Sequence, residues 1–550
     1  MARALAAAAA IVVSLLAVSG AGGSGAQTPK RGGTVVVGTL REPGCINAYL
    51  PRCGSTPVSS HIMRQPLRGA FAVGSGFSWR PDLVSRAEFT KVPPYTLTYH
   101  IRPEARWSDG VPITARDFVF THNALRSIAA ELFDSDRQEL AIIRSVSAVD
   151  AKTLKVVLRS RYAGWRGLFR HVIPRHALRG EDLSTVWLDR IHNPKTGRPI
   201  GSGPFLVERW ERGRTVTFVR NPRYWGPHRA YLDRIVLRFC RQCVDLGAEQ
   251  IEWLRARELD LAASIALSGP QIQELRRLAG VTVLAEPGPV WEHFDIRIGR
   301  GGHAALERKQ VRQAVAYGID RVAIARALFG TIDAGYPLSD SAVFGSGSVH
   351  YRPNWRAYRY RPTEARRLLE QQGCRRGADG IYVCGGERLS LRFVTTGDDP
   401  HRVQTLQLVQ GQLRPAGIEA RPVYGTRGAV FDQILESGEF DLVLFSYIAT
   451  SPDAPAGSAD LYGCGGAQNN SGYCQRLVTR DLDQARRILD EAQLARILNR
   501  ADAQLAKDVP VIPLLERPLV AAFRSSVRNV SLRTRAWDPF TNAENWWLAD

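Results

Sequence analysis

The chain has 550 residues, 44% hydrophobic and 23% charged, which is enough length for two or three domains with ample core and an ordinary globular balance. No internal apolar run is long enough for a bundle of membrane-crossing helices. The net charge of +20 comes from 73 Lys and Arg against 53 Asp and Glu, but the arginines are interleaved with acids rather than gathered in a stripe or tail, which argues against a nucleic-acid partner and leaves only weak attraction to anionic membrane surfaces.

Residues 1–26 read as an export signal. Arg3 supplies the positive start, "LAAAAAIVVSLLAVSGA" the apolar region, and Ser24-Gly25-Ala26 the small residues at a cleavage site. The mature chain is expected to begin near Gln27, with no cysteine beside it to carry a lipid. Export implies an oxidising compartment. The eight cysteines fall into near neighbours: Cys45 and Cys53, Cys240 and Cys243, Cys374 and Cys384, Cys464 and Cys474. Short loops close most easily, so local disulfides are expected, although Cys240-x-x-Cys243 also has redox or zinc spacing.

After the signal, "GGTVVVGTL" is a buried-strand pattern running into the loop "REPGCINAYLPRCG", which holds Glu42. From Tyr95 to Ile101 apolar and polar residues alternate as in a strand. "RPEARWSDG" then breaks the pattern, with Asp109-Gly110 as a turn, and "ITARDFVFTHNAL" resumes as a helix with Thr114 at its N-cap and Asp117 three residues on. The segment from about 61 to 199 closes on the turn-rich "NPKTGRPI". Next come a hairpin over "GSGPFLVERWERGRTVTFVRNPRYWG", a strand "LDRIVLRF" and a helix from Val244 to Leu259. "VTVLAEPGPVWEHFDIRI" reads as strand, Pro-Gly break, strand. Helices follow in "RKQVRQAVAYGIDRVAIARALFG" and "RPTEARRLLEQQG", then alternating elements in "LSLRFVTTG", "RVQTLQLVQGQLRPAG", "IEARPVY" and "FDLVLFSYIAT". This alternation predicts an α/β architecture with largely parallel sheets.

Enzyme motifs are missing or out of context. The G-x-G-x-x-G at Gly20, Gly22 and Gly25 lies in the signal region with no strand before it. There is no P-loop, no H-E-x-x-H and no G-x-S-x-G. The histidines are scattered, with His171 and His176 nearest at five apart, and adjacent Asp398 and Asp399 point different ways. No acid and base assemble in sequence, so the expectation is no enzyme, no cofactor and no metal. A secreted hydrolase stays open as an alternative because triads are spatial.

An ordered set of blocks carries more. "LTYHIRPEARWSDGVPITARDFVFT" contains Trp107, Asp109, Gly110, Pro112, Thr114, Asp117 and Val119. Then come Gly201-Ser202-Gly203-Pro204-Phe205, Asn221-Pro222 and Tyr224-Trp225-Gly226, followed by Val311-Arg312-Gln313-Ala314, Gly318-Ile319-Asp320-Arg321, "GEFDLVLFSY" and "DVPVIPLLE". In this order the blocks resemble the extracytoplasmic solute-binding proteins of family 5, the dipeptide, oligopeptide and nickel receptors of ABC importers, over essentially the whole mature chain.

The resemblance implies a two-lobed, periplasmic-binding-protein-like α/β fold with a hinge. Lobe I would comprise 27–60, 200–285 and 515–550, an insert domain 61–199, and lobe II 286–514. It also implies that Trp107 and Asp109 brace the insert rather than touch ligand. The expected activity is capture of a peptide or peptide-like solute by lobe closure, outside the cytoplasm, by a monomer that delivers to membrane permease subunits. A receptor for an oligosaccharide or a metal chelate is the alternative on the same fold. Ligand groups are expected on loops at the cleft: Glu42, Trp291, His293, Thr395, Thr396, Arg402, Tyr447, Thr450 and Asp453. Arg402 would suit a ligand carboxylate. Dipeptide-binding relatives hold the free ammonium with an Asp in the turn matching "YIATSPDAPAGSAD". Thr450 stands in its place here, so the ligand amine would be blocked, absent or held by Asp453.

Overall fold

The computed structural model of the protein describes residues 28–53, 58–74, 78–240, 248–264, 267–449, 457–532, 538, 540 and 542–549. The expected signal segment 1–26, Cys243, Thr450 and Asp453 lie outside the described residues.

Ten strands make one continuous sheet. They lie within a chain that runs β1 (Thr34–Thr39), β2 (Val84–Phe89), β3 (Thr96–Ile101), β4 (Ile143–Ala148), β5 (Thr153–Leu158), β6 (Phe205–Glu211), β7 (Thr215–Arg220), β8 (Arg234–Phe239), β9 (Leu261–Ser264), β10 (Val281–Ile296), β11 (Ser390–Thr396), β12 (Glu419–Gly425), β13 (Leu442–Ile448) and β14 (Val511–Arg524). The order across the large sheet is β12-β11-β13-β10-β14-β9-β1-β8-β7-β6, and β2-β3-β5-β4 form a separate antiparallel sheet. Strand β1 runs parallel to β8 and β9, and β11 runs parallel to β12 and β13. The remaining neighbours are antiparallel, so the large sheet is mixed and the expectation of largely parallel sheets is corrected. The alternation of strand and helix misleads here because β10 and β14 return through the middle against their neighbours.

Most elements fall where the apolar pattern puts them. The hairpin β6–β7 turns at Arg212–Arg214. The helix-rich stretch from Arg308 to Gly330 holds two helices, α1 (Lys309–Gly318) and α2 (Arg321–Phe329), the second capped by the Asp320 carboxylate, which accepts from the Ala323 N–H at 2.9 Å. Pro362–Gln371 forms α3 and Pro400–Leu413 forms α4. The break expected in "AEPGPV" is not a break. β10 is a single strand of 16 residues whose pairing with β14 is irregular between Pro287 and Trp291 and again between Glu292 and His293. Pro287 lies opposite Pro518 of β14, and neither residue has an N–H to donate. The β10–β14 ladder is therefore thinnest where the two long strands cross the middle of the molecule.

Those strands join two apolar cores. One gathers Val35, Trp107, Phe205, Phe218, Phe523 and Trp546, so the segment around the small sheet and the strands of β1 and β6–β8 share a single buried cluster. The other gathers Phe294, Val311, Trp355, Phe393, Leu413 and Leu515. The Trp107–Gly110 turn is structural. The Trp107 side chain is fully buried, the Ser108 N–H donates to the Gly201 carbonyl at 2.8 Å, the Gly201 N–H donates to Ser108 Oγ at 3.2 Å, and Asp109 meets His176 Nε2 at 2.7 Å. Asp117 accepts from the Thr114 N–H at 2.8 Å, as the helix-start pattern predicts. Three of the local disulfides are present, Cys45–Cys53, Cys374–Cys384 and Cys464–Cys474.

At the crossing, a Cβ on Gly288 would lie 2.8 Å from the Arg517 carbonyl oxygen and 3.1 Å from the Leu519 backbone and side chain. Gly288→Ala should therefore force β10 and β14 apart and lower stability by about 1–3 kcal/mol. Denaturant unfolding of the variant checks this, and an unchanged midpoint would show that the crossing tolerates a side chain.

Candidate functional site

Alternation along "VWEHFDI" in β10 sends successive side chains to opposite faces of the sheet, and each face meets a different set of partners. On one face Trp291, His293 and Asp295 lie beside Phe445 and Tyr447 of β13, through the register Trp291 to Tyr447 and His293 to Phe445. The His293 ring stacks on Tyr447 at a centroid distance of 4.6 Å and 12°, meets Phe445 edge-on at 4.5 Å and lies 4.5 Å from Trp291. Its side chain is fully buried, and among the described residues neither ring nitrogen makes a well-formed hydrogen bond. Nε2 stands 3.6 Å from Asp295 Oδ1. The other carboxylate oxygen of Asp295 has Asn470 Nδ2 at 3.5 Å, and that same amide is 3.4 Å from Tyr447 Oη. Burial disfavours the charged forms: the Asp295 carboxyl is pushed up to about 7 and the His293 imidazole down to about 3. Trp291, Tyr447 and Asn470 are partly exposed and form the rim.

The opposite face carries a network of four charges, with Glu292, Arg402 and Arg517 buried and Asp399 partly exposed. Glu292 accepts from Arg402 Nε at 3.2 Å and Nη2 at 3.3 Å, and from Arg517 Nε at 2.6 Å. Arg517 also pairs with Asp399, which caps α4 by accepting from the His401 N–H at 3.1 Å. Arg402 completes its donors on Ser446 Oγ at 3.0 Å and Thr396 Oγ1 at 3.3 Å. Burial alone would raise the two acids, but the guanidinium groups outweigh it: Glu292 is held below its ordinary value and Asp399 at about 2. A small recess next to the network is walled by Ile324, Leu328, Phe329, Leu444, Leu514 and Leu515.

The sequence-predicted residues thus separate into groups. Trp291, His293 and Tyr447 come together. Thr396 and Arg402 belong to the charge network, so Arg402, expected to face a ligand carboxylate, has its donors occupied by protein acceptors. Thr395 is fully buried and donates to the Leu444 carbonyl at 2.9 Å. Glu42 stands apart, its carboxylate accepting from Trp210 Nε1 at 2.6 Å and the Gly213 N–H at 2.9 Å and pinning the first loop to the β6–β7 hairpin. Sequence reasoning missed Glu292, Asp295, Asp399, Asn470 and Arg517. The period-two pattern of β10 contains the signal for Asp295, but Arg517 lies 225 residues from Glu292 and no local pattern links them. Among the described residues no group of three or more His, Cys, Asp or Glu side chains is placed to hold a metal ion, and no described helix is long and apolar enough to cross a membrane.

The family described as bacterial extracellular solute-binding proteins, family 5 middle region, matches residues 79–469. The oligopeptide-binding protein OppA of Mycobacterium tuberculosis is 27% identical over 487 residues, 86% of this chain and 78% of that protein. The dipeptide-binding protein of Pseudomonas aeruginosa is 23% identical over 353 residues, 63% of this chain and 62% of its own. Among solved structures, the periplasmic EDTA-binding protein EppA superposes with a TM-score of 0.82 at 22% identity, over 95% of this chain and 98% of that one. The Bacillus subtilis oligopeptide-binding protein AppA, in complex with a nonapeptide, superposes with 0.70 at 19% identity, over 95% and 100%. These likenesses share the two-lobed fold.

The His293–Asp295 pair makes a specific pH prediction. From ordinary values of 3.8 and 6.5, folding between about pH 4 and 6.5 moves a proton from imidazole to carboxyl with no net uptake, so the pair adds no slope there. His293→Phe leaves only the raised carboxyl, and stability should fall as pH rises from about 4 to 7. Asp295→Asn leaves only the depressed imidazole, and stability should fall as pH drops below about 6.5. Denaturant unfolding at several pH values within this window reads both slopes. Slopes of the same sign in the two variants would contradict the assignment.

Proposed function

The chain belongs to the bacterial extracellular solute-binding proteins of family 5, and from that premise we propose that it is a receptor for a peptide-like solute, which it hands to the permease of an ABC importer. The observation that carries the reading is the rim of Trp291 and Tyr447 around His293 and Asp295, on strands next to the crossing between the two cores. Aromatic faces with a few convergent polar groups are what a small organic ligand needs. The peptide-binding names of the relatives support the substrate class.

The work of such a molecule is a change in population. A ligand that touches both cores makes contacts in the closed arrangement that it lacks in the open one, and only that difference in affinity shifts the equilibrium. The thin ladder at Pro287 and Pro518 supplies a place to bend, and the charge network next to it keeps the binding face of the second core in one piece. Nothing in this cycle needs a bond to break, which supports a binding protein rather than a hydrolase.

Mass spectrometry of small molecules released on denaturing freshly purified protein should recover peptides. Added back at about 100 times their dissociation constant they should stabilise the fold by roughly 2.7 kcal/mol in a thermal-shift assay. Release of sugars or metal chelates instead, with no shift from peptides, would overturn the ligand class.

A further inference from the structure

The charges around the aromatic rim are unequal. On the far face of β10 the two arginines are matched by two acids, and the guanidinium donors meet Glu292, Asp399, Ser446 and Thr396. That face offers a ligand anion no uncommitted cation. On the rim face the situation is reversed. Asp295 is 3% exposed and no described cation is paired with it. Among the described residues its polar contacts are the 3.5 Å approach of Asn470 Nδ2 and the 3.6 Å approach of His293 Nε2, and the imidazole is itself buried with neither nitrogen in a well-formed hydrogen bond. A carboxyl and an imidazole left this short of partners cost free energy that a ligand can return.

The walls of this seat indicate what the ligand brings. Trp291 and Tyr447 pack against His293 at 4.5 Å and 4.6 Å and against each other at 5.8 Å, and the ring faces that they leave toward solvent attract cations. The carboxyl behind them accepts from an ammonium or guanidinium. Asn470 is partly exposed and bridges Asp295 and Tyr447 Oη by two long contacts of 3.5 Å and 3.4 Å. A ligand cation that displaces this amide would gain a charged acceptor and break only weak bonds. We infer that Asp295, flanked by His293, Trp291 and Tyr447, is a seat for a cationic group of the ligand, an ammonium or guanidinium on a side chain, and that the receptor selects basic over acidic solutes. This rests on the receptor reading above and adds the ligand's charge to it.

The seat also sets a proton balance. The titratable groups facing Asp295 are His293, Tyr447 and Tyr462. Both phenols are held well above their ordinary value by burial, and the imidazole is neutral down to about 3, so none of them supplies a positive charge near neutrality. Below about 7 the carboxyl holds a proton. A cation that takes the seat displaces that proton to solvent, one for one.

The test uses blocked pentapeptides, acetylated and amidated, identical except for Lys, norleucine or Glu at one position scanned along the peptide. Titration calorimetry of the full chain should give affinity in the order Lys, norleucine, Glu, with Lys favoured over norleucine by about tenfold or more at one position. Near pH 6, runs in two buffers of different ionisation heat should show release of close to one proton for Lys and none for norleucine. Asp295→Asn, which replaces a neutral carboxyl by a neutral amide of the same shape, should abolish both the Lys preference and the proton release. If that variant does not fold, proton release by the unaltered chain decides. Equal binding of Lys, norleucine and Glu, or Glu preferred, would overturn the cation seat while leaving a peptide receptor. Failure of every peptide to bind would overturn the receptor reading and the seat with it.

Discussion

Four charges, three of them buried and the fourth partly so, organise this molecule. Glu292 on β10, Arg517 on β14, and Asp399 and Arg402 at the start of α4 neutralise one another where two long strands leave one apolar core and enter the other. An isolated ion buried at this place would cost several kcal/mol, and removing one partner of such a set typically costs about 3–5 kcal/mol because its neighbours are left uncompensated. The network is therefore all or nothing. While it is complete, the ends of β11 and β13, the N-terminus of α4 and the middle of β10 and β14 are held in one geometry. It also decides what the sheet can offer a ligand, since the arginines are committed on one face and an unmatched carboxyl remains on the other.

Beside this rigid knot the backbone is deliberately poor in hydrogen bonds. Pro287 opposite Pro518, with Gly288 pressed against the Arg517 carbonyl, leaves the two strands continuous but weakly laddered. Rigid and soft parts are thus adjacent on the same strands, a few residues apart. On the proposal made above, a ligand held by Trp291 and Tyr447 would pull on strands that are fixed by the charge network on one side of the crossing and weakly laddered on the other. Differential binding can then be converted into movement of whole cores instead of local rearrangement.

Much of this was legible in the sequence. The ordered blocks from Trp107 to "DVPVIPLLE" carried the family, and the apolar periodicities placed most strands and helices. The failures have physical causes. "AEPGPV" reads as a break because Pro and Gly usually end strands, yet a partner strand with its own proline at 518 accommodates them. Strand direction was misjudged because alternation of strand and helix does not say whether a strand returns through the middle of the sheet. At the candidate site, the aromatic residues and Arg402 are visible in the sequence, whereas the acids that pair with Arg402 are not. Arg402 looked like a ligand anchor because an arginine beside "TTGDD" has no visible partner in sequence, while its partner Glu292 is 110 residues away. Nothing local in "HFDI" marks Asp295 as buried, and only the packed structure shows it beside the buried His293.

The central claim is that a ligand closes two cores about the β10–β14 crossing. Small-angle scattering of the full chain, free and saturated with the solute recovered from purified protein, tests it most directly. The account predicts a smaller radius of gyration in the bound sample, and the same change of smaller size in Asp295→Asn at equal ligand concentration. An unchanged radius at saturation would contradict closure and leave the aromatic rim as a rigid binding surface.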